Sequence, residues 1–133
     1  MGMKAVIMAG GEGRRLKAVT GDLPKPMVPL LGKPLMERTV ELLRENGITD
    51  ICATLGYNPA PILSHFGGGE DFGVHLSWRI EDKPLGTAGG VKNCMDFIGG
   101  EPFLVLSGDA ACDFDLRRLA DEHARSGAAV TMA

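Results

Sequence analysis

The sequence predicts an α/β domain in which a mostly parallel β-sheet carries helices on both faces. Short apolar, β-branched segments alternate with segments of helical periodicity along the whole chain. The first of these segments, residues 4–8, lacks the polar alternation of a half-exposed strand, as is typical of strands buried on both faces. The length of 133 residues fits one domain. We therefore expect a single covered sheet over residues 1–133.

The first half of the chain predicts a strand, an irregular segment, a helix and a second strand. Four prolines between residues 19 and 34 exclude a helix there. A helix is predicted between Pro34, which suits a first helical turn, and Gly47, which suits the position just beyond the last turn. Its apolar residues recur at helical spacing at Met36, Val40 and Leu43.

The second half continues the alternation. We predict further strands over residues 48–55, 74–80, 103–106 and 128–132. The strand over residues 74–80 alternates in polarity and is expected to be half-exposed, and the strand over residues 103–106 is expected to be buried. Three side chains are expected to cap helices at their amino ends, namely Asn58, Thr87 and Asp115. The Thr87 helix is expected to present Val91, Cys94, Met95 and Ile98 on one face, and Gly127 is expected to end the last helix.

The segment after the first strand is rich in glycine. Gly10, Gly11 and Gly13 precede two arginines, Arg14 and Arg15. Glycine lets backbone N–H groups approach a ligand closely, and consecutive free N–H groups form an anion site. Arginine adds planar charged donors that suit phosphate. The segment favours a phosphate-bearing ligand, and the alternative is a tight turn that binds nothing.

Three further segments follow predicted strands and carry chemically suggestive residues: Gly56 with Tyr57, residues 85–90, and Gly108 with Asp109. In open parallel sheets, ligands bind at the carboxyl ends of strands where the strand order reverses. We therefore expect these segments and the glycine-rich segment to meet at one edge.

Composition narrows the class of function. The net charge of −3 disfavours nucleic acid or an anionic membrane as partner. The three cysteines share no short spacing, so they predict neither a disulfide framework nor a zinc site. No segment has the length of a transmembrane helix and no signal peptide is visible, so we expect a cytoplasmic protein. The three histidines share no spacing and are expected to be structural or surface residues.

Two common phosphate-binding motifs fail on spacing. A dinucleotide fingerprint starting at Gly11 requires a glycine where Leu16 stands, and one starting at Gly10 requires a glycine where Glu12 stands. A P-loop requires a terminal Gly-Lys-Ser/Thr, which is missing. These mismatches argue against an oxidoreductase with a dinucleotide cofactor. Binding of NADH to the chain would support that interpretation again.

A different set of motifs matches in order: GGEGRRL at 10–16, PKPM at 24–27, GKP at 32–34, LGTAG at 85–89 and LSGD at 106–109. These motifs resemble the sugar-1-phosphate nucleotidyltransferases, and among them most closely the bacterial mannose-1-phosphate guanylyltransferase branch. Related heptose-phosphate guanylyltransferases and muramate-phosphate uridylyltransferases follow closely. Two positions depart from the family pattern, because Arg14 and Ala18 stand where the family usually has Thr and Pro. The resemblance implies a Rossmann-like fold.

The resemblance implies that a sugar 1-phosphate attacks the α-phosphorus of a nucleoside triphosphate and expels pyrophosphate. The attacking phosphate is already anionic, so the site must supply positioning and charge stabilisation rather than a general base. By resemblance, Arg15 neutralises the leaving phosphates, Lys25 steadies the α-phosphate or sugar phosphate, and Asp109 binds Mg²⁺. Asp113 and Asp115 are expected to be turn and cap residues.

The resemblance also implies a set of nucleotide-binding residues: Ala9, Gly10, Gly11, Gly13, Arg15, Lys25, Glu81, Pro84, Gly86 and Thr87. Glu81 matches the position that reads the base. A carboxylate only accepts hydrogen bonds, and guanine presents N1–H and N2–H₂ as adjacent donors, so Glu81 favours GTP. The alternative is a surface glutamate at the end of a strand.

The family's catalytic core is much longer than this chain, so the resemblance implies that residues 1–133 are the N-terminal nucleotide-binding portion of a truncated domain. The expected partners are a nucleoside triphosphate and a sugar 1-phosphate. The alternatives are a non-catalytic module that binds nucleotide or a partner subunit, and a uridylyl- or thymidylyltransferase. A partial domain should leave a sheet edge uncovered, so we also expect self-association or strand exchange.

Overall fold

The computed structural model describes residues 2–11 and 21–133. The strands of this part are β1 Lys4–Ala9, β2 Pro29–Leu30, β3 Lys33–Pro34, β4 Asp50–Leu55, β5 His75–Ile80 and β6 Phe103–Ser107. The α-helices are α1 Leu35–Glu45, α2 Ala60–Phe66, α3 Gly86–Lys92, α4 Met95–Ile98 and α5 Leu116–Ser126, and short 3₁₀ turns cover Lys25–Met27 and Glu70–Phe72. None of the described helices is long and apolar enough to cross a membrane.

Four strands form a parallel sheet in the order β5-β4-β1-β6, and β2 pairs with β3 in a separate antiparallel hairpin. In the central strand β1, Val6 lies opposite Cys52 of β4 on one side and Val105 of β6 on the other. The chain leaves β1 toward β4 and β5 and then returns to place β6 beside β1. The strand order therefore reverses between β1 and β6, where open α/β sheets bind ligands.

Helices cover both faces of this sheet, as the sequence predicts. On one face, buried side chains of α1, α2 and α5 pack against the sheet, among them Met36, Val40, Leu43, Ile62, Phe66 and Leu116. On the other face, a smaller cluster joins the sheet to α3 and α4 through Val6, Cys52, Cys94 and Ile98. The first face holds most of the buried apolar side chains, and truncation of one such side chain to alanine costs about 2–5 kcal/mol.

Helix α1 ends in a Schellman motif at Gly47. The Gly47 N–H donates to the Arg44 carbonyl at 2.9 Å, and the Ile48 N–H donates to the Leu43 carbonyl at 2.8 Å. Gly47 has a φ of +78°, which glycine adopts without strain. The predicted end of the helix is confirmed.

Of the three predicted capping side chains, only Asp115 caps a helix, accepting from the Arg118 N–H at 3.0 Å. The prediction for Asn58 was wrong, because its amide donates to the Asp22 carbonyl at 2.7 Å and α2 begins after Pro59. The prediction for Thr87 was also wrong, because Thr87 lies inside α3, which begins at Gly86 without a side-chain cap.

Three further predictions on secondary structure need correction. The helix expected after Thr87 is two short helices, since α3 ends at Lys92 and α4 begins at Met95. Strand β6 is only partly buried, with Val105 45% exposed, because β6 is an outer strand of the described sheet. The strand predicted over residues 128–132 does not form, because these residues pair with no described strand.

Candidate active site

The carboxyl ends of the four parallel strands meet at one edge of the sheet. Gly10 follows β1, Gly56 follows β4, Glu81 follows β5, and Gly108 with Asp109 follows β6. Since parallel strands end on the same side, the described parts of the segments that we expected to converge lie at this edge. This edge includes the reversal point between β1 and β6.

The segments after β1 and β4 approach each other so closely that only glycine fits. An ideal Cβ at Gly56 would lie 2.7 Å from the Gly10 carbonyl oxygen, closer than real Cβ atoms come. On the other side of β1, the Gly108 N–H donates to the Met8 carbonyl at 2.8 Å. An ideal Cβ at Gly108 would lie 3.1 Å from the Ala9 Cβ. Backbone contact thus fixes the start of the glycine-rich segment from both neighbours.

The Glu81 carboxylate lies between the glycine-rich segment and α3. An ideal Cβ at Gly90 would be 3.0 Å from Glu81 Oε1, and one at Gly10 would be 3.5 Å from Glu81 Oε2. The Glu81 N–H donates to the Leu55 carbonyl at 2.7 Å, which extends the pairing of β5 with β4 by one residue. The Glu81 backbone is therefore held by the sheet, and its carboxylate lies at the edge formed by the carboxyl ends of the strands.

Lys25 and Asp109 form an ion pair at the reversal point. The Lys25 Nζ lies 3.3 Å from Asp109 Oδ2, and the side chains are 34% and 37% exposed. The hydroxyl of Ser107 donates to the other carboxylate oxygen, Oδ1. Lys25 stands between the buried residues Pro24 and Pro26 in a 3₁₀ turn that the Met27 N–H closes onto the Pro24 carbonyl at 2.9 Å. The site thus pairs an ammonium held on a stiff turn with a carboxylate held at the end of a strand.

The remaining predicted site residues divide into three groups. Ala9 is the buried last residue of β1, while Gly11 is exposed beyond it. Pro84, Gly86 and Thr87 are exposed at or just before the start of α3. The predictions for Gly13 and Arg15 lie outside the described residues, as does the departure at Arg14.

Sequence analysis placed Gly90 in the segment 85–90 and Ser107 in the LSGD motif at 106–109, but gave neither residue a role of its own. Gly90 touches Glu81 only because α3 packs back on the sheet, which no local pattern reveals.

Two buried thiols lie in the apolar cluster that joins α3 to the sheet. Cys52 Sγ lies 3.6 Å from Cys94 Sγ, and the Cys94 thiol contacts the Gly90 carbonyl at 3.5 Å. Burial, with a further contribution from the contact with Cys94, raises the pKa of Cys52 to about 12. Burial likewise raises the pKa of Cys94. Both side chains are therefore neutral packing groups at physiological pH.

In the described ranges, no group of three or more His, Cys, Asp or Glu residues could hold a metal ion. Asp109 offers a hard, partly exposed carboxylate oxygen beside the reversal point. Mg²⁺ commonly binds through one or two carboxylates together with phosphate oxygens and water. The donor set therefore fits a metal ion that binds together with a phosphate ligand.

A doubly wound parallel sheet with glycines, a lysine and a carboxylate at its reversal point is typical of proteins that bind phosphate-bearing ligands. Comparison with known sequences identifies the family. The family model described as nucleotidyl transferase matches residues 4–133, and the chain belongs to this family.

Relatives within the family differ in the nucleotide that they are named for. The chain is 38% identical to a UTP–glucose-1-phosphate uridylyltransferase of Synechocystis, over 98% of this chain and 36% of that protein. It is also 38% identical to a mannose-1-phosphate guanyltransferase of Candida albicans, over 98% of this chain and 37% of that protein. Members of the family include homologues named as sugar-1-phosphate nucleotidyltransferases of both kinds.

Among solved structures, the chain resembles HddC of Yersinia pseudotuberculosis complexed with GMP-PN. The TM-score is 0.81 at 36% identity, over 91% of this chain and 54% of that chain. The chain thus spans between about a third and about half of the length of these relatives. The expectation that this sequence corresponds to only part of a family member's fold is confirmed.

Proposed function

We propose that this chain forms the nucleotide-binding part of an enzyme that transfers a guanylyl group from GTP to a sugar 1-phosphate, with mannose 1-phosphate as the preferred acceptor. The observation that carries the proposal is the placement of the Glu81 carboxylate between Gly10 and Gly90. That placement puts an acceptor-only group beside the glycine-rich segment, at the edge where a nucleotide would lie.

The proposed reaction forms one bond and breaks one. An oxygen of the sugar phosphate attacks the α-phosphorus of the nucleotide, and the bond to the β-phosphate breaks to release pyrophosphate. No proton must be removed from the nucleophile, so positioning and charge stabilisation suffice. We assign the stabilising charges to Lys25 at the reversal point and to Arg15.

We further propose that Asp109 would hold Mg²⁺ when the nucleotide is bound. A bound Mg²⁺ would supply positive charge to the triphosphate oxygens. In the chain itself, Ser107 donates to Asp109 Oδ1, which leaves Oδ2 directed toward Lys25. The chain thus presents one carboxylate oxygen and one ammonium side by side to incoming phosphates.

The preference for guanine is supported by chemistry and by some relatives. Two carboxylate oxygens complement the adjacent N1–H and N2–H₂ donors of guanine, whereas uracil offers one N–H between two carbonyls. The Candida albicans relative is named as a guanyltransferase, and the HddC structure contains GMP-PN. The Synechocystis relative, named as a uridylyltransferase, keeps transfer from UTP as the competing proposal.

A second candidate function is nucleotide binding without turnover. It is favoured by the coverage of only 36% and 37% of the two relatives' lengths, and by the finding that within the described residues no group of three or more His, Cys, Asp or Glu side chains could hold a metal ion. Both candidates share the nucleotide site and differ only in whether product forms.

The test combines binding with turnover. Thermal unfolding is measured with GTP, UTP, dTTP, ATP and CTP, each with and without Mg²⁺. A ligand at one hundred times its Kd stabilises the folded state by about 2.7 kcal/mol. We expect a Mg²⁺-dependent rise in Tm that is largest with GTP. Equal shifts for all five nucleotides would refute the guanine preference, and no shift with any of them would refute the nucleotide site.

Turnover is then measured as pyrophosphate release from GTP with mannose 1-phosphate, and without any sugar phosphate as control. Release that depends on the sugar phosphate supports the transferase. GTP binding without release supports the non-catalytic alternative for this chain.

A further inference from the structure

The turn that carries Lys25 has few backbone donors of its own. Its neighbours on both sides, Pro24 and Pro26, have no backbone N–H. Within the turn, the Met27 N–H donates to the Pro24 carbonyl at 2.9 Å, and the Val28 N–H donates to the Lys25 carbonyl at 3.1 Å. These bonds fix the shape of the turn. Its place relative to the strand ends depends on packing against α1 and α2 and on the bonds that hold its flanks.

Two hydrogen bonds hold the flanks of this turn. On the carboxyl side, the Leu35 N–H at the start of α1 donates to the Val28 carbonyl at 3.0 Å. On the amino side, the side-chain amide of Asn58 donates to the Asp22 carbonyl at 2.7 Å. The first bond joins two backbone groups, whereas the second depends on the identity of one side chain. Asn58 therefore links the segment that leads into Lys25 to the loop after β4.

Asn58 is held in a backbone conformation that few residue types adopt. Its φ is +46°, in the left-handed region where Asn and Asp are the commonest residues other than glycine. Two residues earlier, Gly56 lies against Gly10, since an ideal Cβ at Gly56 would be 2.7 Å from the Gly10 carbonyl oxygen. The loop that carries Asn58 is thus placed against the glycine-rich segment. Asparagine suits this position because it tolerates the left-handed backbone and carries an amide donor.

We propose that Asn58 is a positioning residue for Lys25, an inference that rests on the nucleotide-binding function proposed above. By holding Asp22 beside the loop after β4, Asn58 fixes the Lys25 turn at the strand-end edge, where the Lys25 Nζ lies 3.3 Å from Asp109 Oδ2. Without this bond the turn opens and shifts more often, so the ammonium spends less time where the phosphates bind. Asn58 acts through Lys25 and requires no contact of its own with the nucleotide.

The test is a double-mutant cycle on the affinity for GTP with Mg²⁺. Asn58→Gly removes the amide and keeps the left-handed backbone accessible. We expect it to weaken binding about fivefold in the unaltered chain, but less than about twofold when Lys25→Gln is already present, because the two residues act as one unit. A loss of equal size in both backgrounds would show that Asn58 supports the fold in general, and would overturn the proposal.

Asn46→Gly is the matched control. The Asn46 side-chain amide also donates to a backbone carbonyl, that of Leu42 at 2.8 Å, but it lies at the end of α1 that precedes β4. The same substitution thus removes the same kind of bond at the opposite edge of the sheet, and it should leave the affinity for GTP unchanged. A loss equal to that of Asn58→Gly would also overturn the proposal.

Hydrogen exchange in the free chain gives a second readout. The Met27 and Val28 amides, which close the turn, should exchange at least about threefold faster in Asn58→Gly. The Ile48 amide, which donates to the Leu43 carbonyl at 2.8 Å, should keep its rate because it reports opening elsewhere in the fold. Unchanged exchange in the turn, or an equal rise at Ile48, would overturn the proposal. This readout needs no nucleotide, so it decides the role of Asn58 separately from the nucleotide site, which the absence of GTP binding to the unaltered chain would refute.

Discussion

The ammonium of Lys25 lies 3.3 Å from Oδ2 of Asp109, while Ser107 donates to Oδ1 of the same carboxylate. Both charged side chains are slightly more than one third exposed, and ion pairs with this much exposure contribute little to folding stability. Their importance lies in position, because they place opposite charges side by side where the strand order reverses between β1 and β6. A triphosphate with its metal ion would meet both charges at once.

We predict that Lys25→Gln lowers the affinity for GTP with Mg²⁺ about tenfold, or ~1.4 kcal/mol, because a charge-assisted contact to phosphate is lost. The free energy of unfolding should change by less than about 1 kcal/mol. Isothermal titration calorimetry measures the affinity. Lys33→Gln is the control, since Lys33 is also ion-paired, to Glu41 at 2.7 Å, but lies in the β2–β3 hairpin. Equal losses in the two variants would contradict a specific role for Lys25.

We predict that Glu81→Gln reduces the preference for GTP over UTP about tenfold. The amide keeps the shape of the side chain but replaces one acceptor by a donor, which opposes guanine N2–H₂ and suits a uracil carbonyl. The ratio of Kd values measured with the two nucleotides gives the effect. Asp82→Asn removes the same charge from the exposed neighbouring residue and should leave the ratio unchanged. If both variants change the ratio equally, net charge rather than base reading sets the preference.

We predict that Gly56→Ala destabilises the fold by about 1–3 kcal/mol, the usual cost of forcing extra volume into a packed site. The added methyl would lie 2.7 Å from the Gly10 carbonyl oxygen, so a backbone segment must move. Urea unfolding measures the loss. Gly11→Ala is the matched contrast, because an ideal Cβ there meets no described atom within 4 Å. It should leave stability unchanged and weaken nucleotide binding, and an equal loss of stability in both variants would contradict the steric argument.

Much of the fold follows from local pattern in the sequence. The apolar runs predict β1 and β4 because these strands are buried on two faces. The helical periodicity predicts α1 and α5 because each helix buries one face in the core. The ends at Gly47 and Asp115 were predictable because their capping bonds are local. The order of the elements then predicts a parallel sheet with its chemistry at one edge.

The wrong and missing predictions concern features that depend on contacts between residues far apart in the sequence. Asn58 is of a residue type that often caps helices, yet its side-chain amide donates to the Asp22 carbonyl instead. Residues 128–132 have a strand-like sequence, but a strand needs a pairing partner, and these residues pair with no described strand. The proximity of Lys25 to Asp109 and of Glu81 to Gly90 depends on how distant segments pack. Only the resemblance to a family assigned Lys25 and Glu81 to one site with Asp109.

The buried thiols behind α3 make stability depend on pH in the alkaline range. Burial raises the pKa of Cys52 from its ordinary value of 9.0 to about 12. Between these values the unfolded chain releases a proton that the native state keeps, so the stabilisation is complete below about pH 9 and is lost as the pH rises toward 12.

We therefore predict that urea unfolding at pH 7.5 and pH 10.5 shows a fall in stability that is smaller in Cys52→Ala than in the unaltered chain. The variant starts from a lower stability at pH 7.5, since a buried side chain is truncated, but it no longer carries this thiol proton. Cys112→Ala, at a partly exposed position, should keep the full fall. An identical fall in all three proteins would show that groups other than the buried thiol govern the alkaline loss.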